Sequence, residues 1–169
     1  MNYLDTDIRY CKGIGEKKAQ LFNKLGVINV RDLVSYFPRK YEDRSSFKPI
    51  ALTCDGETVC INALAAEDAR LVRIRRGLEL VKFRVVDESG SVDITFFNQP
   101  YIKNNIHRGD SLNIYGKIIG VGGKRTMTNP VIEREGTVGG VTGRIVPVYR
   151  LTTGLSQKLI MSAVRQALD

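Results

Sequence analysis

Apolar residues in this chain follow a helical spacing at both ends and a strand-like alternation between them. Over residues 8–38 they recur every three or four positions, which predicts two short helices. Gly26 is placed to end the first helix and Pro38 to end the second. Over residues 155–168 the same spacing predicts an amphipathic helix, for which Ser156 is a suitable N-cap.

Between residues 58 and 133 the apolar spacing changes to two, the period of a half-buried strand. Five strands are predicted, over residues 58–70, 79–87, 91–98, 111–119 and 125–133. A helical turn is expected after the third strand, with Asn98 as its cap and Pro100 at its start. This order predicts an α+β, mainly β fold: a five-stranded Greek-key barrel of the oligonucleotide/oligosaccharide-binding (OB) type, whose second and third strands form the ligand face. A different small barrel is the alternative.

The pattern divides the chain into three segments. Residues 1–46 hold the helix pair and a charged linker, residues 47–142 hold the barrel, and residues 143–169 hold an extended piece and the last helix. The last helical pattern reaches Asp169 without a C-capping signal. We therefore expect a parent protein that continues beyond this residue.

The third predicted strand carries a large aromatic side chain on its polar face. Alternation puts Phe97 on the same side as Asp93 and Thr95, and opposite Ile94 and Phe96. Leaving such a ring in water forgoes roughly 1.5–3 kcal/mol of burial free energy. A flat partner would recover it by stacking, and nucleobases are the obvious class.

Charge supports a nucleic-acid partner. The chain has 26 Lys and Arg against 18 Asp and Glu, a formal net charge of +8. This excess favours an anionic partner, although many basic proteins are merely soluble. Two predicted loops concentrate the cations: one contains Arg70, Arg73, Arg75 and Arg76, and the other contains Lys124 and Arg125.

In an OB fold these two loops flank bound oligonucleotides. We therefore expect phosphate contacts from their cations and base stacking from Phe97 and Tyr101, with Tyr115 more structural than functional. Alternatively, the arginines form only a solvated hairpin tip, and Tyr101 packs against Ile106 in the core.

The N-terminal helix pair resembles a helix-hairpin-helix element. Backbone amides at the start of its first helix are a second expected phosphate site, formed by Lys12, Gly13, Gly15, Lys17 and Lys18. The alternative is that the glycines only permit a tight turn.

Missing motifs exclude other classes of function. The three cysteines lack CxxC spacing, so neither a zinc site nor a disulfide framework is supported. No signal-like N-terminus and no run of about 18 apolar residues occurs, which predicts a cytoplasmic protein without membrane association. Lys124 is followed by Arg125 rather than Ser or Thr, so there is no Walker A loop. We expect no catalytic residue, no metal site and no cofactor in this chain.

Four ordered motifs resemble the N-terminal wedge region of RecG-type bacterial DNA helicases. They are GIG at residues 13–15, FPRKYEDRS at 37–45, FFNQPY at 96–101 and PVYRLTTGLSQ at 147–157. The similarity covers nearly the whole chain. General strand or helix patterning does not explain the second and fourth motifs.

The resemblance implies a module that binds forked DNA or Holliday junctions and splits their strands at the branch point. In that family the motor domains of the same polypeptide use ATP to pull the duplex arms, in recombination and repair. The resemblance also implies that Phe97 and Tyr101 stack on bases at the branch. ATP and Mg²⁺ are expected only for the motor domains, so this chain alone is not expected to be an enzyme.

The sequence thus favours a monomeric wedge whose partners are branched DNA and its own motor domains. Two alternatives stay open. One is a general OB fold for single-stranded nucleic acid or transfer RNA, and the other is a protein-interaction module.

Overall fold

The computed structural model describes residues 2–168, in two compact units. Residues 2–42 and 146–168 form the helical unit, and Asp43–Ile145 forms the barrel unit. Met1 and Asp169, at the ends of the predicted terminal segments, lie outside the described residues. Among the described residues, no helix is both long and apolar enough to cross a membrane.

Three helices surround one apolar core in the helical unit. They are α1 (Glu16–Asn23), α2 (Val30–Val34) and α3 (Gln157–Leu168), and two 3₁₀ turns precede them at Tyr3–Asp5 and Ile8–Tyr10. The core combines residues from both ends of the chain, among them Ile8, Ile14, Phe22, Val30 and Leu33 with Tyr149, Leu155, Ile160 and Ala163. The two terminal segments, which the sequence pattern separates, therefore pack together.

Capping residues set the ends of these helices. Gly26 adopts φ 79°, and the Val27 amide donates to the Phe22 carbonyl at 3.1 Å, which confirms the predicted end of α1. The Leu159 amide donates to Ser156 Oγ at 3.2 Å, which confirms the predicted cap of α3. The second helix stops at Val34 rather than near Pro38, and Phe37, the last apolar residue of the predicted helical spacing, is 79% exposed.

A two-stranded sheet pairs β1 (Lys40–Asp43) with β10 (Ile145–Val148). The extended piece predicted before α3 therefore forms a strand, and its partner lies in the segment expected to be an irregular charged linker. The Arg39 amide donates to the Val148 carbonyl at 2.9 Å and extends this pairing.

Eight strands build the barrel. They are β2 (Thr58–Ala65), β3 (Arg70–Arg75), β4 (Leu78–Val86), β5 (Ser91–Phe97), β6 (Ser111–Lys117), β7 (Ile119–Val121), β8 (Lys124–Thr128) and β9 (Val131–Arg134). Their order is β7-β8-β5-β4-β2-β6-β9, with β3 beside β4. Because β8 pairs with β5 and its continuation β9 pairs with β6, one bent strand closes the barrel. The OB-type Greek-key prediction is confirmed.

The strand boundaries differ from the prediction at three places. The first strand ends at Ala65, and Arg70–Arg75 forms a separate strand, so the predicted arginine loop is a β-hairpin. The fifth strand breaks at Asn129 and Pro130, because Asn129 adopts φ 46° and proline has no amide to donate. The predicted loop at residues 120–125 is a tight hairpin between β7 and β8, turned by two glycines with positive φ.

Candidate nucleic-acid interface

Phe97 lies at the end of β5 on the outer face of the barrel. Alternation along β5 is as predicted, since Ile94 and Phe96 are buried while Phe97 is 42% exposed. Phe97 lies opposite Leu80 on β4, and Leu80 lies opposite Val72 on β3. Since cross-strand partners share a face, these three side chains form an apolar row that ends in an exposed ring.

Tyr101 follows in a 3₁₀ helix, Pro100–Asn104. Pro100 occupies its start, as predicted, and the Tyr101 side chain is 62% exposed, so the alternative that places it in the core is wrong. Asn98 is not the cap that we expected. It adopts φ 53°, and its Oδ1 accepts the Glu79 amide at 3.0 Å, which ties the helix entry to β4.

A chain of hydrogen bonds connects the two aromatic residues. The Tyr101 hydroxyl donates to Gln99 Oε1 at 2.7 Å, and Gln99 Nε2 donates to Asn129 Oδ1 at 3.5 Å. The same Asn129 oxygen accepts the Phe97 amide at 2.9 Å. Gln99 and Asn129 therefore orient the segment that carries both rings. Sequence reasoning missed both residues, and the one available signal was an Asn-Pro pair inside a predicted strand.

The arginine hairpin reaches the same end of β5. Arg73, Arg75 and Arg76 line an open cleft of about 620 Å³ together with Asn98 and Pro100. Arg73 Nε contacts Glu79 Oε1 at 2.8 Å, so its charge is partly neutralised. Within residues 2–168, the side chains of Arg75 and Arg76 make no hydrogen bond or ion pair. The hairpin therefore presents unneutralised cations next to the aromatic segment.

Lys124 and Arg125 lie at the opposite end of β5. Asp93 pairs with Thr126, so Lys124 is displaced from Phe97 by six residues along the strand, about 20 Å. Arg125 Nη2 donates to the Ala51 carbonyl at 3.1 Å. The arginine hairpin and this pair of residues therefore lie at opposite ends of β5, because β8 runs parallel to β5. The phosphate contacts expected of Lys124 and Arg125 stay a prediction.

The predicted phosphate site of the helix pair lies in the helical unit, with Lys12, Gly13, Gly15, Lys17 and Lys18 exposed. Gly13 adopts φ 84°, as a tight turn requires, and its carbonyl accepts Lys18 Nζ at 2.8 Å. Glu16 places a carboxylate in the first turn of α1, where a phosphate would bind. These local contacts favour the tight-turn interpretation, and phosphate binding there stays a prediction.

Other polar groups near the barrel have structural partners. The Arg44 guanidinium lies 4.0 Å from the centre of the Tyr115 ring. The hydrogen bonds that Arg84 donates to Asp93 raise the pKa of Arg84. Burial raises the pKa of Asp87, but hydrogen bonds from Ile50, Ser89 and Gly90 outweigh it, so the net pKa is lowered.

Asp87 is therefore a turn residue between β4 and β5, and Asp93 on β5 is the ion-pair partner of Arg84. No group of three or more His, Cys, Asp or Glu side chains that could hold a metal ion occurs within the described part of the chain.

A closed Greek-key barrel with exposed aromatics beside a cationic hairpin defines an OB-fold protein of the kind that binds oligonucleotides. Residues 7–169 match the family model of the RecG wedge domain. The chain belongs to this family, which confirms the resemblance seen in the sequence.

Relatives and a solved structure agree with this assignment. The chain is 29% identical over 166 residues to the ATP-dependent DNA helicase RecG of Streptococcus pneumoniae, covering 98% of the chain and 24% of the relative. It is 30% identical over 162 residues to RecG of Thermotoga maritima, covering 92% and 20%. A structure of RecG bound to a three-way DNA junction matches with a TM-score of 0.85 at 27% identity, over 98% of this chain and 23% of that one. The chain thus spans about a quarter of the length of these relatives.

Proposed function

We propose that this chain is the branched-DNA-binding wedge of a RecG-like helicase, which keeps strands apart at a fork or Holliday junction during branch migration and fork regression. The observation that carries the proposal is the pair of exposed rings, Phe97 and Tyr101, connected through Gln99 and Asn129 beside the arginine hairpin. The match to RecG bound to a three-way DNA junction supports the same function.

The wedge replaces the stacking that is lost when a base pair opens. Stacking on an aromatic side chain contributes about 1–3 kcal/mol per base, and a DNA stacking step contributes about 1.4 kcal/mol on average. The stacking gained on an aromatic side chain is therefore close to the stacking lost in the duplex. The wedge therefore opposes reannealing, while the motor domains of the same polypeptide supply the work from ATP.

The arginine hairpin positions the arms that diverge from the branch. Arg75 and Arg76 contact phosphates at the end of β5 where the rings lie, and Arg73 does so while sharing its charge with Glu79. We further propose that the chain acts as a monomer in the cytoplasm, and that ATP and Mg²⁺ bind only to the motor domains.

Two exposed phenylalanines of the barrel unit allow a matched test. Phe97 and Phe47 are each 42% exposed, but Phe47 lies beside β2, where it pairs with Cys60. Phe97→Ala should weaken binding to forked DNA about fivefold or more, and weaken binding to blunt duplex much less. Phe47→Ala should leave both affinities nearly unchanged. Equal losses for fork and duplex in Phe97→Ala would contradict the stacking role.

Competition experiments separate the proposal from its alternatives. At fixed salt, a fork should displace a labelled fork better than a single strand or transfer RNA of equal length does. Equal competition by the unbranched single strand would favour a general OB fold. Binding of a polypeptide without the steep salt dependence that phosphate contacts impose would favour a protein-interaction module.

A further inference from the structure

Two cations face each other directly on the outer face of the barrel. Arg70 on β3 pairs in register with Lys82 on β4. The neighbouring residues Ala69, Val81 and Phe83 are buried, so Arg70 and Lys82 point away from the core. Directly opposed residues have Cβ atoms about 4.5–5.5 Å apart, and like charges at this spacing destabilise a sheet.

The barrel neutralises this pair only in part, through a long ion pair of Arg70 with Glu67. Arg70 approaches Glu67 only to 4.0 Å, and the Lys82 side chain makes no hydrogen bond or ion pair with any residue in the range 2–168. Arg84, two residues further along the same face of β4, donates to Asp93 through Nε at 2.7 Å and through Nη2 at 3.2 Å. On β4, Arg84 is therefore fully paired, whereas Lys82 lies opposite the like charge of Arg70.

Hydroxyl groups continue this cationic row across the sheet. Lys82 lies opposite Thr95 on β5, and Thr95 lies beside Thr128 on β8. Two residues along the strands, about 7 Å away, runs the apolar row that ends at Phe97. The outer face thus places hydrogen-bond donors one row away from the ring.

We infer that Arg70 and Lys82 together bind a backbone phosphate of the strand whose base stacks on Phe97. This inference rests on the proposed function and extends it, since it gives one strand of the fork a path across β3, β4 and β5. The oxygens of a phosphate diester accept hydrogen bonds from the guanidinium and the ammonium at the same time. The bound anion thus removes the repulsion that the free barrel carries.

Two matched variants test the inference. Lys82→Gln and Arg84→Gln each remove one positive charge from the same face of β4 and keep part of the aliphatic stem. Thermal unfolding of the free chain and fork affinity between 50 and 300 mM salt, roughly the range over which phosphate contacts dominate, are measured for both. Phe97→Ala is measured alongside them as the test of the proposed function.

We expect Lys82→Gln to keep or raise the melting temperature, to weaken fork binding roughly fivefold at 0.1 M salt, and to reduce the salt slope by about 0.7. Arg84→Gln should lower the melting temperature and leave the slope unchanged. If Lys82→Gln changes neither affinity nor slope while Phe97→Ala weakens fork binding, the phosphate site is wrong and the proposed function stands. If Lys82→Gln destabilises the free chain as much as Arg84→Gln does, the argument from repulsion is overturned. If Phe97→Ala has no effect on fork binding, the proposed function itself fails.

Discussion

At the scale of single residues, the exposed ring of Phe97 was predictable and the residues that hold it were not. Strict alternation through Ile94 and Phe96 leaves only one face for the Phe97 ring, so the sequence alone determines it. Gln99 and Asn129 are 30 positions apart, and only the closure of the barrel brings their side chains together. Asn129 also adopts a positive φ of 46° between β8 and β9, which its residue type alone does not predict.

Gln99 should act as a positioning residue for Tyr101. Gln99→Ala removes the acceptor of the Tyr101 hydroxyl, so the ring keeps its exposure but loses a preferred orientation. We expect fork affinity to fall about twofold to threefold, less than in Tyr101→Ala, because only pre-organisation is lost. Fluorescence anisotropy titration measures both affinities, and circular dichroism checks that the melting temperature is unchanged. A loss in Gln99→Ala that matches or exceeds the loss in Tyr101→Ala would show that Gln99 contacts the DNA directly.

At the scale of elements, the sequence predicts the strand order and misplaces the hairpins. The apolar alternation of β4, β5 and β6 identifies the centre of the barrel, because each of these strands buries one face. Alternation fails for β3, whose side chains are exposed or half-buried throughout, since β3 pairs only with β4. A run of arginines in such a strand is therefore taken for a loop. The Gly122-Gly123 turn is likewise taken for a flexible loop until its pairing is known.

The tip of the β3–β4 hairpin should dominate the electrostatic part of fork binding. Replacing Arg75 and Arg76 by Gln removes two cations that have no partner in the described structure, and should reduce the salt slope of fork binding by about 1.4. A control variant, Lys117→Gln with Lys158→Gln, removes the same charge from exposed positions elsewhere. Fork affinity at several salt concentrations measures both slopes. Similar slopes for the two variants would show that only net charge matters.

We expect the stability of the barrel unit to depend on pH through Asp87, which lies in the turn between β4 and β5. The Asp87 carboxylate accepts the Ile50 amide at 2.8 Å and the Gly90 amide at 2.8 Å, and these bonds lower its pKa against the effect of burial. A carboxylate with a lowered folded-state pKa stabilises the protein above its unfolded pKa of about 3.9, and this contribution is lost as the pH falls through the folded-state value.

Asp87→Asn should therefore lower the free energy of unfolding by about 1–3 kcal/mol at pH 7 and reduce the loss of stability below about pH 4. Urea denaturation between pH 3 and pH 7 provides the measurement. Glu88→Gln is the matched control, because Glu88 is the exposed neighbour without a hydrogen-bonding partner among residues 2–168. If the free energy of unfolding kept the same pH dependence in Asp87→Asn, the acid sensitivity would not come from Asp87.

At the scale of the whole molecule, net charge and motif order indicate a nucleic-acid-binding module before any coordinates are known. The formal charge of +8 suggests an anionic partner but does not say where it binds. We propose that it binds where the arginine hairpin and the aromatic segment meet, at one end of β5, whereas Lys124 lies at the other end. The separation of Lys124 from the arginine hairpin depends on the parallel pairing of β5 with β8, which no local sequence pattern predicts.

The central claim is that Phe97 and Tyr101 stack on bases at the branch point. The most direct measurement places 2-aminopurine at the branch of a three-way junction and, as a control, six base pairs into one arm. The fluorescence of the probe is followed as the chain is titrated, and anisotropy measures binding in the same titration. We predict that the fluorescence changes at the branch position only, and that Phe97→Ala with Tyr101→Ala abolishes the change even at concentrations that saturate the junction. A saturated complex of the unmodified chain without any change at the branch base, or with the same change in the double variant, would contradict the account.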